Sequence, residues 1–443
     1  MSALAFDTDL LRRYDRPGPR YTSYPTAPQF VESFGEAALR DAIEDSNGDP
    51  IPRRLSLYVH VPFCLSPCFY CGCNRVITRD RSRGEEYLTY LAREIERVSA
   101  LFDRDREVVQ LHFGGGTPNF LDPQQLRSTV EMLRRHFRFS DVDDRDISIE
   151  LDPRTVMPED IAALAAAGFN RASLGVQDVD RDVQAAVNRV QSVEQTRAVI
   201  DACRAHGMRS VNVDLIYGLP RQTEESFRRT LATVLGMRPD RFAVYSYAHL
   251  PQLFKAQRRI DAADLPDPET KLALLQAAIE TLTRAGYVYI GMDHFALPDD
   301  ELALAQARGG LHRNFMGYTT HADSDLVGLG VSAISHIGPT YSQHLMCQGE
   351  IPVSALERRY RIDFAAYFAE CMARMAPLQD DGLVRIERDR IVVAPRGRLL
   401  LRNIAMCFDR YLPKPPAPDA DAGTGAAGSG CADAPRTPFS RAI

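Results

Sequence analysis

The 443-residue chain is 45% hydrophobic and 25% charged, with 53 Lys and Arg against 59 Asp and Glu and a net charge of −6. That balance gives no support to nucleic acid or an anionic membrane surface as the main partner, and no run of about 18 apolar residues is present to span a bilayer. The length favours two domains over one, the N-terminal MSALAFDTDLLRRYDR lacks the apolar stretch of a signal peptide, and nine cysteines, four of them clustered, suit a reducing cytoplasm better than secretion.

Residues 1–50 contain the polar, Pro-punctuated run Arg20-Tyr21-Thr22-Ser23-Tyr24-Pro25-Thr26, which reads as a surface strap across the main fold or as part of a substrate cover. Beyond it, strand and helix signals alternate. Leu55–Val61 is a first strand, followed at once by a loop holding Cys64, Cys68, Cys71 and Cys73. A helix is expected over 85–102, with Leu88, Leu91, Ile95, Val98 and Leu101 on one face. Strand Val108–Phe113 runs into Gly114-Gly115-Gly116-Thr117-Pro118. Then come a helix near 124–137, strand Ile147–Leu151, a helix begun by Pro158, and strands Arg171–Val176, Ser210–Tyr217 and Phe242–Ala248. Repeated strand-then-helix units imply parallel strands joined by right-handed crossovers. Six of them make an α/β partial (β/α)6 barrel, TIM-like, whose active site belongs at the C-terminal ends of the strands. The cysteine loop, the glycine run, Glu150, Gln177 and Asp214 all fall at those ends. Residues 341–412 read as a small, mainly helical domain with Phe364, Tyr367 and Phe368 as packing anchors. Residues 413–443, rich in Pro, Ala and Gly, read as a disordered tail. The expected domains are therefore 1–50, 51–340, 341–412 and 413–443.

The spacing C-x3-C-x2-C of Cys64, Cys68 and Cys71 is that of a four-iron, four-sulfur cube held at three corners, its fourth iron open to a small molecule. Structural zinc sites usually pair two separated knuckles, and one continuous cluster fits them poorly. A disulfide framework suits small secreted domains. If the open iron binds S-adenosylmethionine, one electron from the cluster cleaves the sulfonium and releases a carbon radical. The glycine run allows close approach of backbone to such a ligand. Glu150 is a candidate for the ligand's amine or ribose hydroxyls, Arg189 for its carboxylate and Asp214 for a ribose hydroxyl, with Gln177 on the same rim.

The chain closely resembles the oxygen-independent coproporphyrinogen III oxidases of the radical S-adenosylmethionine superfamily. The resemblance runs from about Tyr14 to Leu412 and is carried by PRYTSYPTA (19–27), YVHVPFCLSPCFYCGCN (58–74), HFGGGTP (112–118), SIELDPR (148–154), SLGVQD (173–178), VNR (187–189), NVDLIYGLP (212–220), YAHLP (247–251), GMDHFA (291–296) and LHRNFMGYTT (311–320). It implies a [4Fe-4S] cluster on Cys64, Cys68 and Cys71, with Cys73 in the family pattern without being a ligand; Tyr58 and Cys73 are assigned to catalysis. It also implies two molecules of S-adenosylmethionine, the first at Tyr58, Gly115, Gly116, Thr117, Glu150, Gln177, Arg189 and Asp214, the second near Tyr70, Ile216, Ala248 and Ile334. The implied reaction is oxidative decarboxylation of two propionates of coproporphyrinogen III to vinyls, giving protoporphyrinogen IX in haem biosynthesis by way of a 5′-deoxyadenosyl radical. The expected setting is a cytoplasmic monomer with an unidentified electron donor and acceptor. Candidates for the substrate's carboxylates are Arg20, Tyr21, Tyr24, His312 and Arg313.

One stretch departs from the family pattern. After VGLGVSAISHIG (327–338) the chain passes almost directly from Gln343 to His344-Leu345-Met346-Cys347, as if a few tens of residues were missing. Two alternatives follow: a barrel that binds cluster and S-adenosylmethionine but is impaired in porphyrinogen turnover, and a haem-carrier relative. Against the second stand Cys73 and the PRYTSYPTA strap, which such relatives generally lack.

Overall fold

The computed structural model describes residues 5–412 except 20, 22–23, 32, 143–144 and 339–343. Arg20, the junction after His336-Ile337-Gly338, and the expected tail with Cys431 lie wholly or partly outside the described residues. The chain divides into two units, Met1–Glu32 with Gly349–Ile443, and Ser33–Gln348, where the sequence suggested boundaries at 50 and 340.

The larger unit is built on one sheet. Besides the two-residue Arg138–Phe139, its strands are β1 (Arg54–Val61), β2 (Glu107–Gly115), β3 (Asp146–Leu151), β4 (Arg171–Gln177), β5 (Ser210–Tyr217), β6 (Arg241–Ser246), β7 (Val288–Gly291), β8 (His294–Ala296) and β9 (Ser324–Leu329). From β1 to β6 each strand pairs in parallel with the next. The antiparallel β8 and β7 extend one edge, and β9 adds to the other by pairing in parallel with β1, Tyr58 opposite Gly328. All six expected strands are present; β9 is a further parallel strand that the sequence reading did not include.

The two-residue period of each strand sorts its side chains. In β4, Ala172, Leu174 and Val176 are buried while Ser173, Gly175 and Gln177 are partly open; β3 and β5 alternate in the same way, with Ser148 and Glu150, and Asn212 and Asp214, on the more open face. The apolar set, with Leu174, Val213 and Leu215 fully buried, packs away from solvent at about 1.5–3 kcal/mol per side chain. The crossover helices follow their own sequence signals. Ser82–Ser99 buries Tyr87, Leu91 and Ile95 at helical spacing. Pro123–His136 begins with Pro at its first position and a capping box between Asp122 and Gln125.

At the N-terminal end of the sheet a buried ion pair joins distant segments. Arg106 gives Nη2 to Asp325 Oδ2 at 2.6 Å, Nη1 to Asn47 Oδ1 at 2.9 Å and Nε to the Arg53 carbonyl at 2.8 Å. Asp325 also accepts from Ser46 Oγ and from the Gly338 N–H. Both charged side chains are essentially inaccessible, at 1% and 0%.

In the smaller unit, helices Val353–Tyr360, Phe364–Tyr367, Ala369–Asp380 and Leu401–Met406 accompany a three-stranded antiparallel sheet of Glu350–Ile351, Ile391–Val393 and Val384–Ile386. The expectation of a mainly helical domain omitted this sheet, whose two- and three-residue strands are too short to show a period. The described residues among 5–31 belong with this unit rather than forming one of their own. Asn403 donates to the Tyr14 carbonyl (2.6 Å), Arg402 to that of Gly18 (2.8 Å), and Tyr21 Oη to Asp409 (2.8 Å). Among the described residues no helix is long and apolar enough to cross a membrane.

Candidate functional site

The cysteine loop begins where β1 ends. A two-residue parallel ladder, Phe63 with Val76 and Cys64 with Ile77, closes the loop at its base. Two hydrogen bonds tie its middle to the turn that carries Arg189: Phe69 N–H donates to the Val187 carbonyl (2.9 Å) and Asn188 Nδ2 to that of Pro67 (2.6 Å). A cavity of about 270 Å3 opens beside the loop, lined by Cys64, Cys68, Cys71 and Cys73 together with Tyr70, Gly115, Gly116, Thr117, Glu150, Gln177, Arg189 and Asp214. Twelve of the sixteen metal, catalytic and cofactor positions expected from the sequence thus face one space.

The glycines are required by contact. Gly116 donates its N–H to the Val61 carbonyl at 2.8 Å, and a Cβ on it would stand 2.8 Å from the Phe63 carbonyl oxygen, on the backbone leading into Cys64. Gly115 has φ +115°, in the region that favours glycine. Gly116→Ala should push the cysteine loop off the glycine run, costing about 1–3 kcal/mol of stability as overpacking does. It should also weaken S-adenosylmethionine binding at least about tenfold, and calorimetric titration of reconstituted protein with wild-type affinity would contradict this.

Besides Asp152, two carboxylates line the cavity, Glu150 and Asp214. His112 Nε2 lies 3.3 Å from Glu150 Oε1, and its Nδ1 lies 2.7 Å from Ser148 Oγ. Asp214 accepts from Asn212 Nδ2 at 2.8 Å and Ser173 Oγ at 3.2 Å. Burial first, and then the negative charge of Glu150, push the Asp214 carboxyl up to about 7. Between pH 3.8 and about 7 the unfolded chain has released a proton that the folded chain keeps, so stability falls as pH rises through this window and is level above it. The stability of Asp214→Asn relative to wild type should therefore grow from pH 4 to about pH 7 and then hold constant. A difference independent of pH in urea unfolding would show the carboxyl to be unperturbed.

Gln177 reaches the cavity through a register shift after Gly175, with its own φ at +68°; such irregularities re-aim a side chain at a strand end. Arg189 gives Nη2 to the Gly175 carbonyl and Nη1 to Asp152 Oδ2 (3.2 Å) and Cys68 Sγ (3.4 Å). Its Nε is buried with no hydrogen-bond partner. Asp152 and Arg154, which the sequence reading did not single out, complete this group. Arg154 pairs with Asp152 at 2.7 Å and directs its other contact at Cys68 Sγ, 3.6 Å away. Both stand in SIELDPR, where a charged strand end looks like an ordinary solvated one.

Four expected positions lie off the lining. Tyr58 is buried beneath it, its ring stacked on His112 at 5.9 Å and 16°, its Oη 3.2 Å from His60 Nδ1. His60 Nε2 faces the Asn74 carbonyl at 3.0 Å, which only accepts; in the neutral ring Nε2 therefore carries the hydrogen and Nδ1 accepts from Tyr58. Ile216 shares an apolar cluster with Val187, Leu219 and Tyr247, against which Tyr70 packs. Gln257 Nε2 joins the carbonyls of Tyr70 (2.9 Å) and Ala248 (3.1 Å). Tyr70, Ile216 and Ala248 are thus neighbours. Ile334 stands apart from them on β9's side, where a Cβ on Gly328 would come within 2.8 Å of its backbone.

Of the substrate candidates, Tyr21 bonds Asp409, and Tyr24 Oη accepts from Arg410 N–H (3.2 Å) within the smaller unit. In the larger unit Arg313 lies 5.6 Å from the Tyr318 ring centroid, and His312 pairs with Thr319.

The donor set fits an iron–sulfur cluster. Four thiols occupy one loop, guanidinium groups point at Cys68 Sγ, and a hydrogen bond with Cys73 first, aided by the charge of Arg75 against the effect of burial, draws the Cys71 thiol down to about 6. Among the described residues no three His, Cys, Asp or Glu side chains form the close cage of a single ion; a cube holds its thiolates at separate corners.

Residues 58–234 match the family model of the Radical SAM superfamily, and residues 344–400 that of the HemN C-terminal domain. The chain is 50% identical over 450 residues to an oxygen-independent coproporphyrinogen III oxidase of Pseudomonas aeruginosa, covering 93% of this chain and 97% of the relative. It is 46% identical to that of Escherichia coli K12, covering 92% and 96%. The solved structure described as "Coproporphyrinogen III oxidase (HemN) from Escherichia coli is a Radical SAM enzyme" matches with a TM-score of 0.86 at 45% identity, over 92% of this chain and 100% of that one. An alignment of 450 positions that takes in 93% of a 443-residue chain leaves a few tens of positions with no counterpart here, a number comparable with the few tens of residues that the sequence reading expects to be missing after Gln343.

Proposed function

The chain belongs to the oxygen-independent coproporphyrinogen III oxidases of the radical SAM superfamily, and from that premise we propose that it decarboxylates two propionates of coproporphyrinogen III to vinyls, yielding protoporphyrinogen IX. The observation that carries the reading is the single cavity in which the C-x3-C-x2-C thiols, the glycine run and the Glu150–Asp214 pair meet. The β-carbon of a propionate has no acidic proton, so no acid–base pair can begin the reaction. Cys64, Cys68 and Cys71 would hold the cluster, which with S-adenosylmethionine would supply the one-electron chemistry, and so the hydrogen-atom abstraction, that this carbon requires. Each decarboxylation then sends one carbon dioxide out and one electron to an acceptor outside this chain.

The chain's own residues bind, orient and exclude water. Gly115, Gly116 and Thr117 present backbone to the S-adenosylmethionine. Arg189 is assigned to its carboxylate, with an Nε that still lacks a partner, and Glu150, Gln177 and Asp214 to its amine and hydroxyls. Tyr58 spends its hydrogen on His60, which leaves its oxygen as an acceptor beneath the site. The hydrogen bond with Cys71 raises the Cys73 thiol well above its ordinary range, in keeping with its assignment as a non-ligand beside Cys71. Tyr70, Ile216 and Ala248 form the wall assigned to a second S-adenosylmethionine, with Ile334 on the opposite flank.

The test is anaerobic turnover of reconstituted protein with dithionite, S-adenosylmethionine, coproporphyrinogen III and cell extract as acceptor source. Formation of 5′-deoxyadenosine together with protoporphyrinogen is expected. Deoxyadenosine without protoporphyrinogen, from a cluster-loaded sample, would overturn the substrate assignment and leave only the radical chemistry.

A further inference from the structure

Arg75 follows the last cysteine of the loop by two residues and lines the cavity. Its guanidinium folds back on the loop and donates to three of its carbonyl oxygens: Nη1 to Cys71 at 3.2 Å and Cys73 at 3.1 Å, and Nη2 to Cys68 at 3.4 Å. Its Nε is buried with no hydrogen-bond partner. All of its hydrogen bonds thus go to backbone, and among the described residues no carboxylate forms an ion pair with it. The contrast with the other two arginines at the loop is one of charge. Arg154 and Arg189 share Asp152, so one negative charge offsets part of theirs, whereas the charge of Arg75 is not offset.

Three thiolates and a cube are anionic, and reduction adds a further negative charge. A fixed cation beside them stabilises the reduced form more than the oxidised one. In a partly buried site that preference is larger than in water. Net charge and nearby hydrogen bonds are among the protein's levers on cluster potential. We propose that Arg75 is a positioning residue for the cluster, clamping the cysteine loop through its three carbonyls, and that its unpaired charge raises the cluster's reduction potential. The inference depends on the cluster being held by Cys64, Cys68 and Cys71, and it concerns a property that turnover alone does not report.

The two roles separate by substitution. Arg75→Lys keeps the charge and loses the planar fork; Arg75→Gln loses the charge and keeps an amide donor. Full-length wild type and both variants are reconstituted anaerobically, and the midpoint potential is read by electron paramagnetic resonance during a redox titration without S-adenosylmethionine. Iron content and hydrogen exchange of residues 64–76 are measured alongside. In Arg75→Gln the reduction equilibrium should fall at least about tenfold, a shift of about 59 mV for one electron. Arg75→Lys should stay within about threefold of wild type. Exchange in the loop should rise in both. If Arg75→Gln fails to hold a cluster while Arg75→Lys holds one at the wild-type potential, the counter-charge is likewise supported. A wild-type potential in Arg75→Gln overturns the proposal, as do equal shifts in the two variants or loss of the cluster from both. Failure of the wild type itself to assemble a cluster would instead overturn the ligand assignment on which the proposal depends.

Discussion

Replacement of Cys64, Cys68 or Cys71 by Ala should abolish the brown absorbance that the wild type gains on anaerobic reconstitution. The reason is the count of ligands. A cube held at three corners has no protein ligand to spare, and losing one leaves two thiolates to hold four irons. The three differ in setting but not in expected outcome: Cys68 is buried under Arg154 and Arg189, Cys64 lies 3.3 Å from Thr117 Oγ1, and Cys71 is bonded by the Cys73 N–H. Cys73→Ala is the internal control and should keep the cluster, because Cys73 is assigned no corner. Iron and sulfide content of each variant decide the matter. Full retention in any of the first three would sink the ligand set, while loss in Cys73→Ala would add a fourth ligand. None of the four substitutions touches the apolar face of the sheet, so the apoproteins should unfold at the wild-type denaturant concentration.

The second large effect lies at the other end of the sheet. Asp325→Ala should destabilise the larger unit by about 3–5 kcal/mol, since it strands the Arg106 guanidinium in a site where that side chain is 1% exposed. The pair itself is a weaker contributor than its removal suggests, because both charges had to leave water to form it. The double variant Arg106→Met with Asp325→Leu should therefore recover most of the loss. Hydrogen exchange along Arg54–Val61 and Ser324–Leu329 reports on the segments that the pair fastens. If the double variant were as unstable as Asp325→Ala, the stranded charge would not be the cause.

The barrel strands were legible because their chemistry is periodic: Ile147, Ile149 and Leu151 alternate with Ser148 and Glu150, and Val211, Val213 and Leu215 with Asn212 and Asp214. The cluster loop was legible because ligand spacing is local in sequence. Strand Ser324–Leu329 escaped because its Asp325 is paired across 219 residues with Arg106, so the residue that looks polar and loop-like is among the most buried. Asp152, Arg154 and Arg75 were missed for a related reason. A charged residue at a strand end or loop end is usually solvated, and only the fold shows which sulfur or carbonyl it faces. His112 likewise reads as a motif residue and gains meaning from Glu150, 38 positions away.

The pairing of the last parallel strand with the first has a consequence for how the chain is made. While a ribosome is still adding residues before Ser324, the strand Arg54–Val61 has a neighbour on one side only, and its other edge offers unsatisfied N–H and C=O groups to any passing chain. That edge directly precedes the cysteine loop. Some 270 residues separate the partners, a long-range closure of the kind that slows folding and prolongs exposure of incomplete sheets. The scaffold beneath the cluster loop is therefore complete only after Leu329 has emerged. Translation arrested anywhere in the preceding helices leaves a truncated product with an open β-edge.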